Sequence, residues 1–238
     1  MKSLFEINSQ IIQSIDGNYQ RPEQLMDQTK FNAIMLNELN VLALQRSKGK
    51  RNFQITPENE WLLKVVFAYL NRNADDNELT YTRTIQDETI TKTLDLHKGL
   101  MLLGNFGVGK TLLMQAIHSK MQMCKLTGRF VSSRKIYETK QVDWDVTLGK
   151  PQYGIFIDDL GDEPTKTVEF GNEDAPVALV LKNRMDAWEQ LPESPKMFIT
   201  SNCAPKVLEQ KYGGRIVSRM HAAMNVIITN QKTDWRKI

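Results

Sequence analysis

The residues best placed to do chemistry form one run, Gly104-Asn105-Phe106-Gly107-Val108-Gly109-Lys110-Thr111, which fits GxxxxGK[ST]. It lies between a strand-like Gly99–Leu103 and a helix-like Leu112-Leu113-Met114-Gln115-Ala116-Ile117. That context suits a phosphate-binding loop. Its glycines let the backbone curl so that N–H groups point at phosphate oxygens, and the helix N-terminus adds partial positive charge. Lys110 is expected to reach the β and γ phosphates and Thr111 to give its hydroxyl to Mg²⁺. The nucleotide site then comprises Gly104, Asn105, Phe106, Gly107, Val108, Gly109, Lys110, Thr111 and Leu112. A second apolar run, Ile155-Phe156-Ile157, ends in Asp158-Asp159. Here Asp158 is expected in the magnesium shell, and Asp159 as the group that orients and deprotonates an attacking water. A third run ends in Thr200-Ser201-Asn202, polar groups within reach of a γ-phosphate or that water. Finally, Arg215 and Arg219 follow a glycine turn, four residues apart on one helical face. Such a pair is either solvated or a finger for a neighbouring subunit's phosphate.

These groups need a scaffold that brings strand ends together. The short apolar runs Gly99–Leu103, Arg129–Ser132, Gly154–Ile157, Met197–Thr200 and Val226–Thr229 alternate with helical stretches Thr111–Met123 and Pro176–Trp188. Alternation of this kind predicts an α/β fold, a five-stranded parallel sheet flanked by helices, with ligands at the carboxyl ends of the strands. Upstream, a helical pattern starts at Pro22 and runs to Leu44. The basic stretch Arg46–Arg51 reads as a solvated linker, or as a phosphate-contacting patch. Thr56-Pro57 should start another helix. Residues 71–93 are polar and read as loop.

Composition narrows the class. The 238 residues are 41% hydrophobic and 25% charged, which excludes a disordered or collagen-like chain. The net charge of +3 permits a nucleic-acid partner without requiring one. Cys124, Cys203, His97, His118 and His221 have no metal-ligand spacing, so a zinc site is not expected. No apolar run reaches the ~20 residues of a membrane span. The N-terminal residues lack a secretory leader, so a cytoplasmic location is expected.

Together these segments resemble the AAA+ ATPases of the DnaC-type helicase-loader family, with the transposition helper IstB as close kin. The resemblance covers about residues 52–238. It rests on Lys98–Gly104 leading into the phosphate loop, Ile157-Asp158-Asp159-Leu160-Gly161-Asp162-Glu163-Pro164, Phe170-Gly171-Asn172-Glu173, Thr200-Ser201-Asn202, the run Tyr212–Met220, and Asp234-Trp235-Arg236. It implies that Lys110 and Thr111 bind ATP·Mg²⁺ and that Asp158 and Asp159 are the Walker B pair. Asn202 would sense the γ-phosphate. Arg219 would be an arginine finger acting in trans, with Arg215 a second candidate. Residues 1–51 would be a small helical docking region and linker, and 52–238 the ATPase domain. Only nine residues follow Thr229, so no C-terminal helical lid is expected. A neighbouring subunit would then complete the site through an ATP-bridged interface. The implied partners are a hexameric DnaB-like replicative helicase and single-stranded DNA, the latter met by Lys166 and Phe170. Some loaders carry a zinc site near the N-terminus, but this chain has no cysteine before Cys124. An IstB-like transposition helper, or a nucleotide-gated adaptor with negligible hydrolysis, would share the same site.

Overall fold

A computed structural model describes residues 27–71, 78–85, 88–123, 128–139, 141–150, 154–164, 167–169, 172–190 and 197–229. Its centre is a parallel sheet of five strands: β3 (Gly99–Gly104), β4 (Gly128–Ser132), β5 (Gly154–Asp158), β8 (Met197–Ser201) and β9 (Met224–Thr229). They lie side by side in the order β4-β5-β8-β3-β9. All five predicted runs are strands, and all neighbouring pairs are parallel.

The period-two alternation of a strand divides the apolar residues between two faces. Leu100 and Leu102 of β3, Phe156 of β5, Phe198 of β8 and Ile227 of β9 face one core. Met101, Leu103, Ile155, Ile157, Met197, Ile199 and Met224 face the other. The first core is covered by α1 (Gln28–Arg46), α2 (Pro57–Leu70) and α3 (Lys110–Met123). On the second lie α4 (Ser133–Glu138), α6 (Pro176–Gln190), α7 (Pro205–Tyr212) and α8 (Gly214–Ala223), while the one-turn α5 (Trp144–Thr147) precedes β5. Burial on both faces explains why the strands read as continuous apolar runs.

The first helix begins at Gln28, and Asp27 caps it by accepting the Lys30 amide at 3.1 Å. Residues 22–26, where the pattern suggested it starts, lie outside the described residues. Phe31, Met35 and Leu39 recur every fourth residue, and all three are buried in the same core as Leu113, Met114 and Ile117 of α3. Glu38 adds an ion pair to Lys120 of α3 at 2.7 Å. This helix therefore packs on the sheet's own helical layer.

The polarity of residues 71–93 predicts a loop, and the structure corrects this at 78–85 and 88–93. β1 (Glu78–Ile85) and β2 (Glu88–Asp95) form an antiparallel hairpin, with Glu78 opposite Asp95 and Ile85 opposite Glu88. Alternating threonines with Leu79 and Tyr81 suit a strand exposed on one side, and Tyr81 stacks on Trp61 of α2 with ring centroids 6.1 Å apart. A short hairpin pairs β6 (Thr167–Glu169) with β7 (Asn172–Asp174).

Candidate functional site

The topology gathers the sequence's candidates at one sheet edge. The strand β8 lies between β3 and β5, so the loops after these three strands meet at their carboxyl ends. Gly104 ends β3 at φ 150°, and a Cβ there would stand 2.0 Å from the Thr229 hydroxyl of β9. Only glycine lets the chain turn there into the phosphate loop.

Lys110 begins α3 and is buried. Its ammonium donates to the Gly104 carbonyl at 2.7 Å, the Asn105 carbonyl at 2.8 Å and Asn202 Oδ1 at 2.7 Å. Thr111 Oγ1 donates to Asp158 Oδ1 at 2.9 Å. Asn202 Nδ2 donates to Asp159 Oδ1 at 3.0 Å. One hydrogen-bonded chain thus runs from the phosphate loop through Asn202 to Asp159, and a second joins Thr111 to Asp158. Val108 is buried beneath the loop, whereas Asn105 and Phe106 are exposed at its tip.

Asp159 has φ 54°, a left-handed conformation that a residue with a side chain adopts only when its surroundings impose it. Its amide donates to Thr200 Oγ1 at 2.9 Å, and its carbonyl accepts the Ser133 hydroxyl at 2.7 Å. Thr200 also donates to Asp158 Oδ1 at 2.6 Å. Burial, with the Asp158 charge beside it, pushes the Asp159 carboxyl above its ordinary value, against the pull of the Asn202 hydrogen bond and Lys110.

Neither Thr200 nor Ser133 was singled out from sequence as holding the acids. In the sequence Thr200 is one polar group at a strand end, and nothing local marks Ser133, which reaches Asp159 only through the pairing of β4 with β5. Thr111 and Asp158 fit a hard divalent cation, since a hydroxyl and a carboxylate already within hydrogen-bond reach form an oxygen donor pair.

A cleft of about 700 Å³ opens at this edge. One wall is Gly107–Leu113 with Asp159 and Asn202, and the other is the end of α1, the following loop and α2. The second wall includes Arg46, Lys50, Arg51, Phe53, Asn59 and Leu62. The stretch Arg46–Arg51 therefore lines the cleft rather than only spacing two parts of the chain. Asn40 of α1 holds this wall by accepting the Phe53 amide at 3.1 Å. With Lys110, its cations face one lining carboxylate, Asp159, which suits a polyanionic ligand.

The arginines lie elsewhere. Neither Arg215 nor Arg219 lines the cleft. Arg215 is exposed near the start of α8. Arg219, one turn later, pairs with Asp186 at 2.6 Å and with Glu189 at 2.9 Å, both on α6. Lys166 and Phe170 lie outside the described residues.

A parallel α/β sheet with a phosphate loop after one strand and paired acids after another is the fold of the P-loop NTPases. Among solved structures, the chain is similar to AMPPCP-bound DnaA from Aquifex aeolicus, at 16% identity, 78% coverage of this chain and TM-score 0.46. It is also similar to the DnaC helicase loader, at 16% identity over 75% of this chain and 93% of that one, with TM-score 0.48. The alignment spans 50% of the DnaA chain's length. No family model and no curated protein matches the sequence. Among the described residues no helix is long and apolar enough to cross a membrane.

Proposed function

We propose that this chain is an AAA+-type ATPase that loads a hexameric replicative helicase onto single-stranded DNA, acting in the cytoplasm. The observation that carries the ATPase half is the convergence of Lys110, Thr111, Asp158, Asp159 and Asn202 from the ends of three adjacent strands. In this reading Lys110 exchanges its carbonyl acceptors for the β and γ phosphates, which releases Asn202 to meet the γ-phosphate. The raised pKa suits Asp159 as a base, because a more basic carboxylate takes a proton from water more readily. Thr111 and Asp158 would hold Mg²⁺, which neutralises phosphate charge when bound. The adenine ring of the nucleotide would sit against the second wall of the cleft, beside Phe53 and Leu62.

The loader half rests on the Asp158–Pro164 and Tyr212–Met220 runs, and residues 1–51 are proposed as the helicase-docking region. Arg219, or Arg215, would reach the ATP of a neighbouring copy. The deciding experiment mixes the protein with a DnaB-like ring helicase and with a transposase, each with and without ATP. An ATP-sensitive complex with the helicase supports the loader. An ATP-sensitive complex with the transposase alone moves the assignment to a transposition helper.

A further inference from the structure

The segment after Asp159 holds a buried carboxylate outside the nucleotide cleft. Glu163 is 3% exposed. Its Oε2 accepts the Gly161 amide at 3.0 Å, and its Oε1 accepts the Tyr212 hydroxyl and stands 3.2 Å from the Lys211 ammonium. Lys211 also donates to the carbonyls of Gly161, at 2.7 Å, and of Glu163. Burial, together with the Glu163 contact, pushes the Tyr212 phenol up, so it stays a donor. A carboxylate taken this far from water persists only when paired and hydrogen-bonded, and all three partners lie at the end of α7 or within the loop itself.

The loop's main chain is held almost group by group. The Asp159 amide and carbonyl are held by Thr200 and Ser133. The Leu160 amide donates to the Thr200 carbonyl at 2.8 Å, and the Leu160 carbonyl accepts the Ser201 hydroxyl. The Asp162 amide returns to the Asp159 carbonyl at 3.1 Å. Glu163 and Lys211 then take the Gly161 amide and the carbonyls of Gly161 and Glu163. The strained φ of Asp159 is thus imposed from both ends: β8 and Ser133 hold the near side, and α7 holds the far side.

We propose that Glu163, Lys211 and Tyr212 form a clamp whose role is to position Asp159 for ATP hydrolysis. None of the three lines the nucleotide cleft. They fix the turn that follows Asp159, so they act through its carboxylate and are positioning residues. The inference rests on the ATPase reading and adds residues to it.

The test uses the full chain with magnesium-ATP and compares Tyr212→Phe, Lys211→Met and the conservative Lys211→Arg. The expected result is ATP affinity within about twofold of wild type and one site per chain, with kcat reduced about tenfold in Tyr212→Phe and Lys211→Met, because misorienting a base forfeits part of its rate contribution. Lys211→Arg should recover part of that loss. Unchanged kcat in both variants overturns the clamp. So does a fall in kcat matched by an equal fall in binding sites, which a merely structural role would give. If Lys211→Met does not fold, Tyr212→Phe, which removes one oxygen, decides alone. Wild-type hydrolysis that Asp159→Asn abolishes, with clamp variants equal to wild type, overturns the clamp and leaves the ATPase reading standing. Absence of hydrolysis in the wild type overturns both.

Discussion

The carboxyl edge of the sheet and the helix α8 are built to different standards of completeness. At the sheet edge, Lys110, Thr111, Asp158, Asp159 and Asn202 find their partners within the chain. On α8, Arg215 faces solvent and Arg219 is held by Asp186 and Glu189 at a partly exposed position. Exposed ion pairs are worth about 0–1 kcal/mol each, so Arg219 is easily redirected. The contrast suggests a division of labour. In the proposed reading, one chain would bind nucleotide by itself, whereas Arg215 or Arg219 would meet a phosphate only from a second copy.

Removing the Asp159 carboxylate, the proposed base, should separate these two regions most strongly. Asp159→Asn should lower ATP turnover by about 100-fold or more while ATP affinity is retained, measured by phosphate release and by nucleotide titration. Next come the arginines. Arg219→Ala should keep ATP binding and basal turnover but lose the stimulation that appears as protein concentration rises. Stimulation lost in Arg215→Ala and kept in Arg219→Ala would move the finger to Arg215.

The wall supplied by α1 gives a smaller, thermodynamic test. Leu39 is fully buried in the core shared with α3, so Leu39→Ala should cost about 2–5 kcal/mol in a single denaturation transition. Loss of a separate early transition, with the main one unmoved, would show that α1 folds apart from the sheet.

The smallest effect concerns charge. The folded-state pKa of Asp159 is raised, so the unfolded chain ionises this group more readily. Its contribution favours the fold below the unfolded pKa and is lost as pH rises through the folded value. Asparagine removes the half-buried charge and tolerates left-handed backbone, so Asp159→Asn should raise Tm slightly at neutral pH, with the gain vanishing in acid.

How much of this was legible in the sequence follows from where each contact lies along the chain. The phosphate loop is contiguous, and its function depends on glycines and a Lys-Thr pair at fixed spacing, so it could be read directly. Asp158, Asp159 and Asn202 were legible because buried strands end abruptly in polar residues. The hairpin Glu78–Asp95 was missed because its threonines are polar while being good strand formers, so polarity hid a period of two. The second wall of the cleft was missed as a wall because it forms by packing: Arg46–Arg51 looks like any basic turn until α1 is docked against α3. Ser133 and Lys211 reach the Asp159 loop from 26 and 50 residues away, through the sheet alone.

Titration of a fluorescent ATP analogue with magnesium against wild type and Lys110→Ala asks whether this edge binds a nucleoside triphosphate through Lys110. Saturable binding at one site per wild-type chain is expected. In Lys110→Ala, binding should be weakened beyond measurement although its circular dichroism and Tm match the wild type. Equal binding by the two proteins, or no saturable binding by the wild type, would contradict it.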